Sequence, residues 1–296
     1  MEDRPALSPA ARRVRRGLAL LAVLCVLVTA VALVARARTA SELPAVHVPA
    51  SAVRGTTVDR YALRSRAADR KLVQTVVRPA GDVRGRPLLV LLHGKAQDPA
   101  WVAGAPLRAA VARLGDRAPV VLVPADDGGS YWHDRRSGRW ATYLRREAIP
   151  AAVRRYGLDG RRLAVGGISM GGAGAYALAA DGGFCAVGGH SPALWTSAGA
   201  TAPGAYDDAE DFAAHDPIGL VRAGRARYGV PLWLDRGRDD PFDAADRAFV
   251  RALRAAGERV TVRSGPGGHE GRYWERGMAT YLRFYADALA ACRPAR

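Results

Sequence analysis

The seven residues GGISMGG, Gly166 to Gly172, decide how this chain is read. They contain Gly167-Ile168-Ser169-Met170-Gly171, a G-x-S-x-G pattern, preceded by the apolar run LAV and followed by the small-residue stretch AGAYALAA. Strand, tight turn and helix in that order are what presents a serine hydroxyl at the top of a sheet. The flanking glycines have a steric reason: a nucleophile on so sharp a turn sits in strained backbone, and side chains on either side of it would strike the adjoining strand and helix. With 33 glycines in 296 residues, chance alone gives roughly 0.1 such motifs, so the flanking strand and helix carry the weight. A serine hydroxyl is a poor nucleophile at neutral pH, so the motif acquires chemistry only if the chain also supplies a base, an orienting acid and an oxyanion site.

Outward from the motif, short apolar runs alternate with helical stretches. TTVDRYALRS and KLVQTVVRP read as early antiparallel edge strands, and RPLLVLLHG as a continuous run buried on both faces. APVVLVPAD, RRLAVGGIS, FCAVGGHS, VPLWLDRG and RVTVRSGP follow, separated by helical stretches such as ATYLRREAIPAAVRRYG and AADRAFVRALRAAG. About eight strands in a mostly parallel sheet with helices on both faces are expected, an α/β class domain over residues 56–296. The stretch from Pro192 to about Ala226 has no clean period and is expected to cover one end of the sheet.

The remaining chemistry is sought downstream. His269, in SGPGGHEGRYW, stands in a glycine-rich loop after the last strand and is the expected base. His215, in DFAAHDP, reads as a surface or capping residue, and His190 ends a strand where it could line the pocket. The acid lies among Asp235, Asp239 and Asp240 of LWLDRGRDDPF; Asp235 is still inside the apolar run, and the spacing does not separate Asp239 from Asp240. Two backbone amides would form the oxyanion site: Met170, next to the nucleophile, and Lys95 in the HGKAQD loop that His93-Gly94 lets turn close to the pocket, with Ala96 as its alternative. Tyr131, Trp132 and Trp140 of the DGGSYWHDRRSGRW loop could stack on a sugar or aryl ring or pack a lid.

These segments together resemble the putative-esterase family of α/β-hydrolases, which includes esterase D-type enzymes, feruloyl esterase-like proteins and the antigen 85 mycolyltransferases. The resemblance runs from about Arg86 to the C-terminus through RPLLVLLHG, YLRREAIPAAVRRYGLDGRRLAVGGISMGG, LDRGRDDPF and PGGHEGRYW. It implies an α/β-hydrolase fold and a serine esterase, or an acyltransferase using the same groups. Family members carry the acid three residues after the glycine of the third segment, here Gly237, which implies Asp240. Ser169 is then the nucleophile, His269 the base, and the Lys95 and Met170 amides the oxyanion donors. One departure stands out: the family often has tryptophan two residues after the histidine, where this chain has Gly271.

The N-terminus has a separate message. Arg12, Arg13, Arg15 and Arg16 precede GLALLAVLCVLVTAVALVA, residues 17–35, which carries no charge and as a helix would extend about 28 Å. It is expected to be a transmembrane anchor, or an uncleaved signal, with residues 1–16 cytoplasmic, 36–55 a linker, and the catalytic domain outside. Cleavage near Ala37, giving a secreted protein, is the alternative. Lysine and arginine outnumber aspartate and glutamate 44 to 28, a net charge of +16. Seven arginines against Glu2 and Asp3 place +5 of it in the first forty residues, and no nucleic-acid signature accompanies the rest, so an ester substrate and the membrane are the expected partners. No metal or organic cofactor is implied. Cys185 and Cys292 could pair outside the cytoplasm.

Overall fold

The computed structural model describes residues 43–293. The apolar segment over 17–35 lies outside the described residues. Among those described, no helix is long and apolar enough to cross a membrane.

The strands are β1 (Thr56–Ser65), β2 (Arg70–Pro79), β3 (Leu88–Leu92), β4 (Val120–Val123), β5 (Asp134–Arg135), β6 (Gly138–Arg139), β7 (Leu163–Ile168), β8 (Val187–His190), β9 (Leu232–Gly237) and β10 (Val260–Gly265). Eight of them form one sheet in the order β1-β2-β4-β3-β7-β8-β9-β10, and β5 and β6 pair as a small separate hairpin. Strand β2 pairs antiparallel with both of its neighbours, and every pair from β4 to β10 is parallel. Parallel pairing requires crossover connections, which place helices on the two faces and bury the central strands on both sides. Strand β3, LLVLL, is accordingly buried throughout: Leu88, Val90 and Leu92 enter one core, and Leu89 and Leu91 enter the other.

The helices are α1 (Pro99–Val102), α2 (Ala105–Leu114), α3 (Trp140–Tyr143), α4 (Ile149–Tyr156), α5 (Met170–Ala179), α6 (Ala209–His215), α7 (Pro217–Arg222), α8 (Asp243–Ala255) and α9 (Gly271–Ala291). Helix α9 lays Trp274, Met278, Tyr281, Leu282, Tyr285 and Leu289 against the sheet at helical spacing, in the same core as Leu107 and Val111 of α2. Tyr176 of α5 and Phe249 of α8 pack in the opposite core. The helical stretch expected from Ala141 to Gly157 passes through a π turn at Leu144–Ala148. Pro150 follows at once and has no N–H to donate back to the preceding turn, which is one reason a helix departs from α geometry there.

Two ties hold the ends of the unit. Cys185 and Cys292 are disulfide-bonded, 5.7 Å apart at Cα and 107 residues apart in sequence, a closure worth about 4–5 kcal/mol by chain entropy. Residues 43–55, read from sequence as the end of a linker, run along the domain: Arg272 donates to the Leu43 carbonyl at 2.7 Å, and a 3₁₀ turn spans Ala50–Val53.

Candidate active site

Ser169 joins β7 to α5 with φ 54° and ψ −115°, a backbone region that non-glycine residues enter only when the surroundings impose it. Those surroundings are visible. A Cβ on Gly167 would lie 2.2 Å from the Gly171 carbonyl, and one on Gly171 would lie 2.2 Å from the Leu92 carbonyl oxygen. Both glycines of the motif are therefore required by contact between strand, turn and helix. The Ser169 N–H donates to the His190 carbonyl at 2.9 Å, and its own carbonyl accepts from Gly172, Ala173 and Ala193. The serine side chain is left half-buried at the end of the sheet.

His269 arrives from the loop after β10. Its Nε2 lies 2.8 Å from Ser169 Oγ, and its Nδ1 lies 3.0 Å from Asp240 Oδ2. Asp240 follows β9, is 4% exposed, and accepts the Phe242 N–H on its other oxygen at 2.9 Å. The two loops are fastened together: Arg238 donates to the Gly265 carbonyl and Asp239 to the Gly267 carbonyl. A Cβ on Gly237 would meet that Gly267 oxygen at 2.1 Å. Asp239 itself is exposed. With Nδ1–H donated to Asp240, the Nε2 lone pair faces the serine hydroxyl, the orientation proton transfer from serine requires.

The two expected amide donors are placed differently from the one held in reserve. Met170 is the first residue of α5, where a helical N–H has no intrahelical acceptor. Among the described residues the Lys95 N–H donates to no main-chain acceptor, whereas the Ala96 N–H is taken by the Gly128 carbonyl at 2.8 Å. Gln97, not singled out from sequence, fixes this loop by accepting the Gly94 N–H on Oε1 at 2.7 Å.

Three readings that the sequence leaves open are decided. His190 does not line a pocket: it is fully buried, opposite Asp235 on the neighbouring parallel strand, with its Nδ1 2.7 Å from Asp235 Oδ1. Asp235 also accepts from Trp233 Nε1 and the Tyr281 hydroxyl, so its capacity is filled away from His269. Trp132 and Trp140 are fully buried and Tyr131 is 5% exposed; they pack. The Trp132 indole donates to the His93 carbonyl, and its Cβ would lie 2.6 Å from a Cβ on Gly174. At Gly271 an aromatic ring is present from another source: Trp101 of α1 lies 3.0 Å from where a Gly271 Cβ would be and edge-on to Trp274, which is itself edge-on to His269.

A cavity of about 570 Å³ lies beside this centre rather than at the serine, between β10 and α9, lined by Trp233, Asp235, Tyr273 and Tyr281 among others. Burial raises the Tyr281 and Tyr285 hydroxyls well above their ordinary value, with the Asp235 charge acting in the same sense. Among the described residues, His133, Asp211 and His215 form a cluster of metal-ligating groups, and it does not include Ser169, His269 or Asp240.

Solved structures share the architecture. A ferulic acid esterase superposes with a TM-score of 0.67 at 23% identity, covering 79% of this chain and 98% of that one. An S-formylglutathione hydrolase from Agrobacterium tumefaciens gives 0.69 at 19% identity over 79% and 96%. A fluorophosphonate-binding serine hydrolase from Staphylococcus aureus gives 0.64 at 18% over 78% and 98%. These likenesses show the α/β-hydrolase fold. A search of curated proteins finds no match. The family described as "Putative esterase" matches residues 65–285, a span that contains the elbow at Ser169, the acid loop and the histidine loop; the chain belongs to that family, and it is a carboxylic ester hydrolase.

Proposed function

We propose that the chain hydrolyses carboxylic esters through an acyl-enzyme at Ser169, outside the cytoplasmic membrane. Ser169 Oγ attacks the ester carbonyl carbon while His269 Nε2 takes the hydroxyl proton, and the Asp240 carboxylate stabilises the imidazolium through Nδ1–H. The carbonyl oxygen becomes an alkoxide, held by the Met170 and Lys95 N–H groups. Collapse breaks the bond to the leaving alcohol, which takes the proton from His269. Water then adds to the acyl carbon with His269 again as base, and the released acid frees Ser169.

The observation that carries this reading is the continuous hydrogen-bond line from Ser169 through His269 to Asp240, at 2.8 and 3.0 Å, starting on a serine held at positive φ. A location outside the membrane rests on the uncharged 17–35 segment behind four arginines and on the Cys185–Cys292 disulfide, a bond that persists in oxidising compartments.

The test is turnover of a short-chain p-nitrophenyl ester by the full chain and by Ser169→Ala. The variant is expected to lose about 10⁶ in kcat; turnover equal to that of the unmodified chain contradicts the proposal.

A further inference from the structure

The DGGSYWHDRRSGRW loop and the irregular insertion after β8 meet at three side chains that the ester chemistry does not use. Asp211 and His215 stand one helical turn apart on α6, the spacing that puts two ligands on one face. His133 reaches them from the loop, and its approach follows two consecutive non-glycine residues at positive φ, Tyr131 at 49° and Trp132 at 60°. His133 Nε2 lies 3.0 Å from Asp211 Oδ2, and His215 Nδ1 lies 2.8 Å from Asp211 Oδ1. The ligand atoms of all three residues fall within 4.8 Å of one another.

We infer that His133, Asp211 and His215 form a zinc site. The donor count at His133 leads there. Its Nδ1 faces the Tyr131 carbonyl at 3.4 Å, while its Nε2 faces a carboxylate oxygen, and the side chain is 3% exposed. A neutral imidazole has one N–H and can satisfy only one of two such acceptors. A doubly protonated ring paired with Asp211 would meet both acceptors, and so does a metal ion between Nε2 and Asp211, which leaves the single proton on Nδ1 to meet the carbonyl; the nearby His215 supplies the further ligand that only the metal uses. A ligating histidine with its second nitrogen donated to a backbone carbonyl is the usual outer arrangement of a metal site. The carboxylate is braced in the same way, since Asp211 Oδ2 also accepts the Asp207 N–H at 2.7 Å.

Two imidazoles and one carboxylate select a borderline ion. Calcium and magnesium take six or more ligands that are mostly oxygen, whereas zinc takes nitrogen and oxygen donors at about 2.0–2.2 Å in a tetrahedron whose edges are then about 3.3 Å. The two contacts on the page, 3.0 and 2.8 Å, are hydrogen-bond lengths slightly inside that edge and go to different oxygens of Asp211, and the three ligand atoms lie within 4.8 Å of one another, so entry of the ion requires His133 and His215 to turn toward one point beside the carboxylate. A cavity of about 280 Å³ lined in part by His133, His215 and Arg225 adjoins the cluster and supplies an entry path and room for water as a fourth ligand. The nearby Arg135 and Arg136 are already engaged by Asp207 and Asp208.

The ion would be structural, cross-linking two segments that pack toward the reacting end of the sheet. His133 stacks on Tyr206, Tyr206 contacts Trp195, Trp195 contacts Phe242, and Phe242 lies 5.1 Å from His269 between ring centroids. Zinc at the cluster therefore stiffens the aromatic wall that ends at the base.

The test uses the full chain, stripped with a chelator and titrated with Zn²⁺ alone by calorimetry, beside His215→Gln, Asp211→Asn and, as a control at an exposed histidine, His47→Gln. One zinc per chain is expected, with at least tenfold weaker binding in both cluster variants and unchanged binding in the control. Because His215 is partly exposed, its variant should keep the fold, which circular dichroism checks. Co²⁺ in place of Zn²⁺ should give the intense visible bands of tetrahedral coordination in the unmodified chain and lose them in His215→Gln. Absence of binding overturns the inference. So does zinc bound equally well by His215→Gln, which would put the ion elsewhere, for instance at His269 and Asp240.

Discussion

Strand β9 and the loop after it carry Asp235 and Asp240, five residues apart, and each of these two meets a histidine. Asp240 meets His269 at the open end of the sheet; Asp235 meets His190 between strands. The local chemistry is the same, an imidazole Nδ1–H on a buried carboxylate, and the far nitrogen separates the two. His269 Nε2 faces the Ser169 hydroxyl and the ring is 21% exposed. His190 Nε2 faces the Tyr285 hydroxyl at 3.0 Å, its ring is stacked on Tyr281, and it is sealed. On the proposed mechanism an Asp–His pair serves as a base only where the fold leaves its second nitrogen a nucleophile and an exit for the product. Elsewhere the same pair is a cross-link in the core, and Gly166 and Gly188 provide the space for its tyrosine: a Cβ on either would lie 1.9 or 2.0 Å from the Tyr285 hydroxyl.

The sharpest way to break this contrast is to make the same change in both pairs. Asp240→Asn should lower kcat by about 10⁴, because the amide no longer fixes the tautomer with Nε2 free, while the melting temperature moves little; steady-state kinetics and thermal unfolding read both. Asp235→Asn should do the opposite. Asn retains one acceptor oxygen where three donors converge on the carboxylate, so about 3 kcal/mol of stability should be lost, with turnover per folded molecule within about twofold of the unmodified chain. Comparable losses of kcat in both variants would remove the distinction.

The smallest effect belongs to a third carboxyl of the same neighbourhood, one with no histidine. Asp246 of α8 is fully buried, and among the described residues neither of its oxygens has a hydrogen-bond partner. Burial raises it well above its ordinary 3.8, and the charges of Asp240, Asp243 and Asp235 add to the shift, with Arg236 opposing it. A carboxyl raised in the folded state contributes its full stability below the unfolded value and loses it as pH rises through the folded one. Asp246→Asn should therefore raise the melting temperature by a few degrees at pH 7 and by less near pH 3.5, where the carboxyl is mostly protonated in both states. A gain that is equal at the two pH values would contradict the assignment.

Much of the fold is legible in the chain because its signals are local. Continuous apolar runs mark strands buried on both faces, and the run LLVLL is one. The G-x-S-x-G glycines are dictated by contacts within a single strand-turn-helix unit, so their reason can be read from spacing. Asp239 and Asp240 are different: adjacent residues project in different directions, and only family resemblance separates them in sequence. In the structure one is exposed and the other faces His269. What escapes the sequence is convergence between distant segments. Trp101 comes to rest over Gly271, and His190 finds Asp235 across forty-five residues. His133, 78 residues from Asp211, joins it and His215 in one cluster. For Tyr131, Trp132 and Trp140 the sequence leaves stacking on a ligand and packing both open, because composition does not report which way a ring is turned; in the structure they are buried.

The central claim is that Ser169, with His269 and Asp240 behind it, is the nucleophile. Its most direct test is covalent: treat the full chain with a fluorophosphonate, digest it, and locate the added phosphonyl group by mass spectrometry. The group is expected on the peptide containing Ser169, formed fast in the unmodified chain, slowed in Asp240→Asn and absent in Ser169→Ala. Labelling at another serine, or none at all on the folded protein, would contradict it.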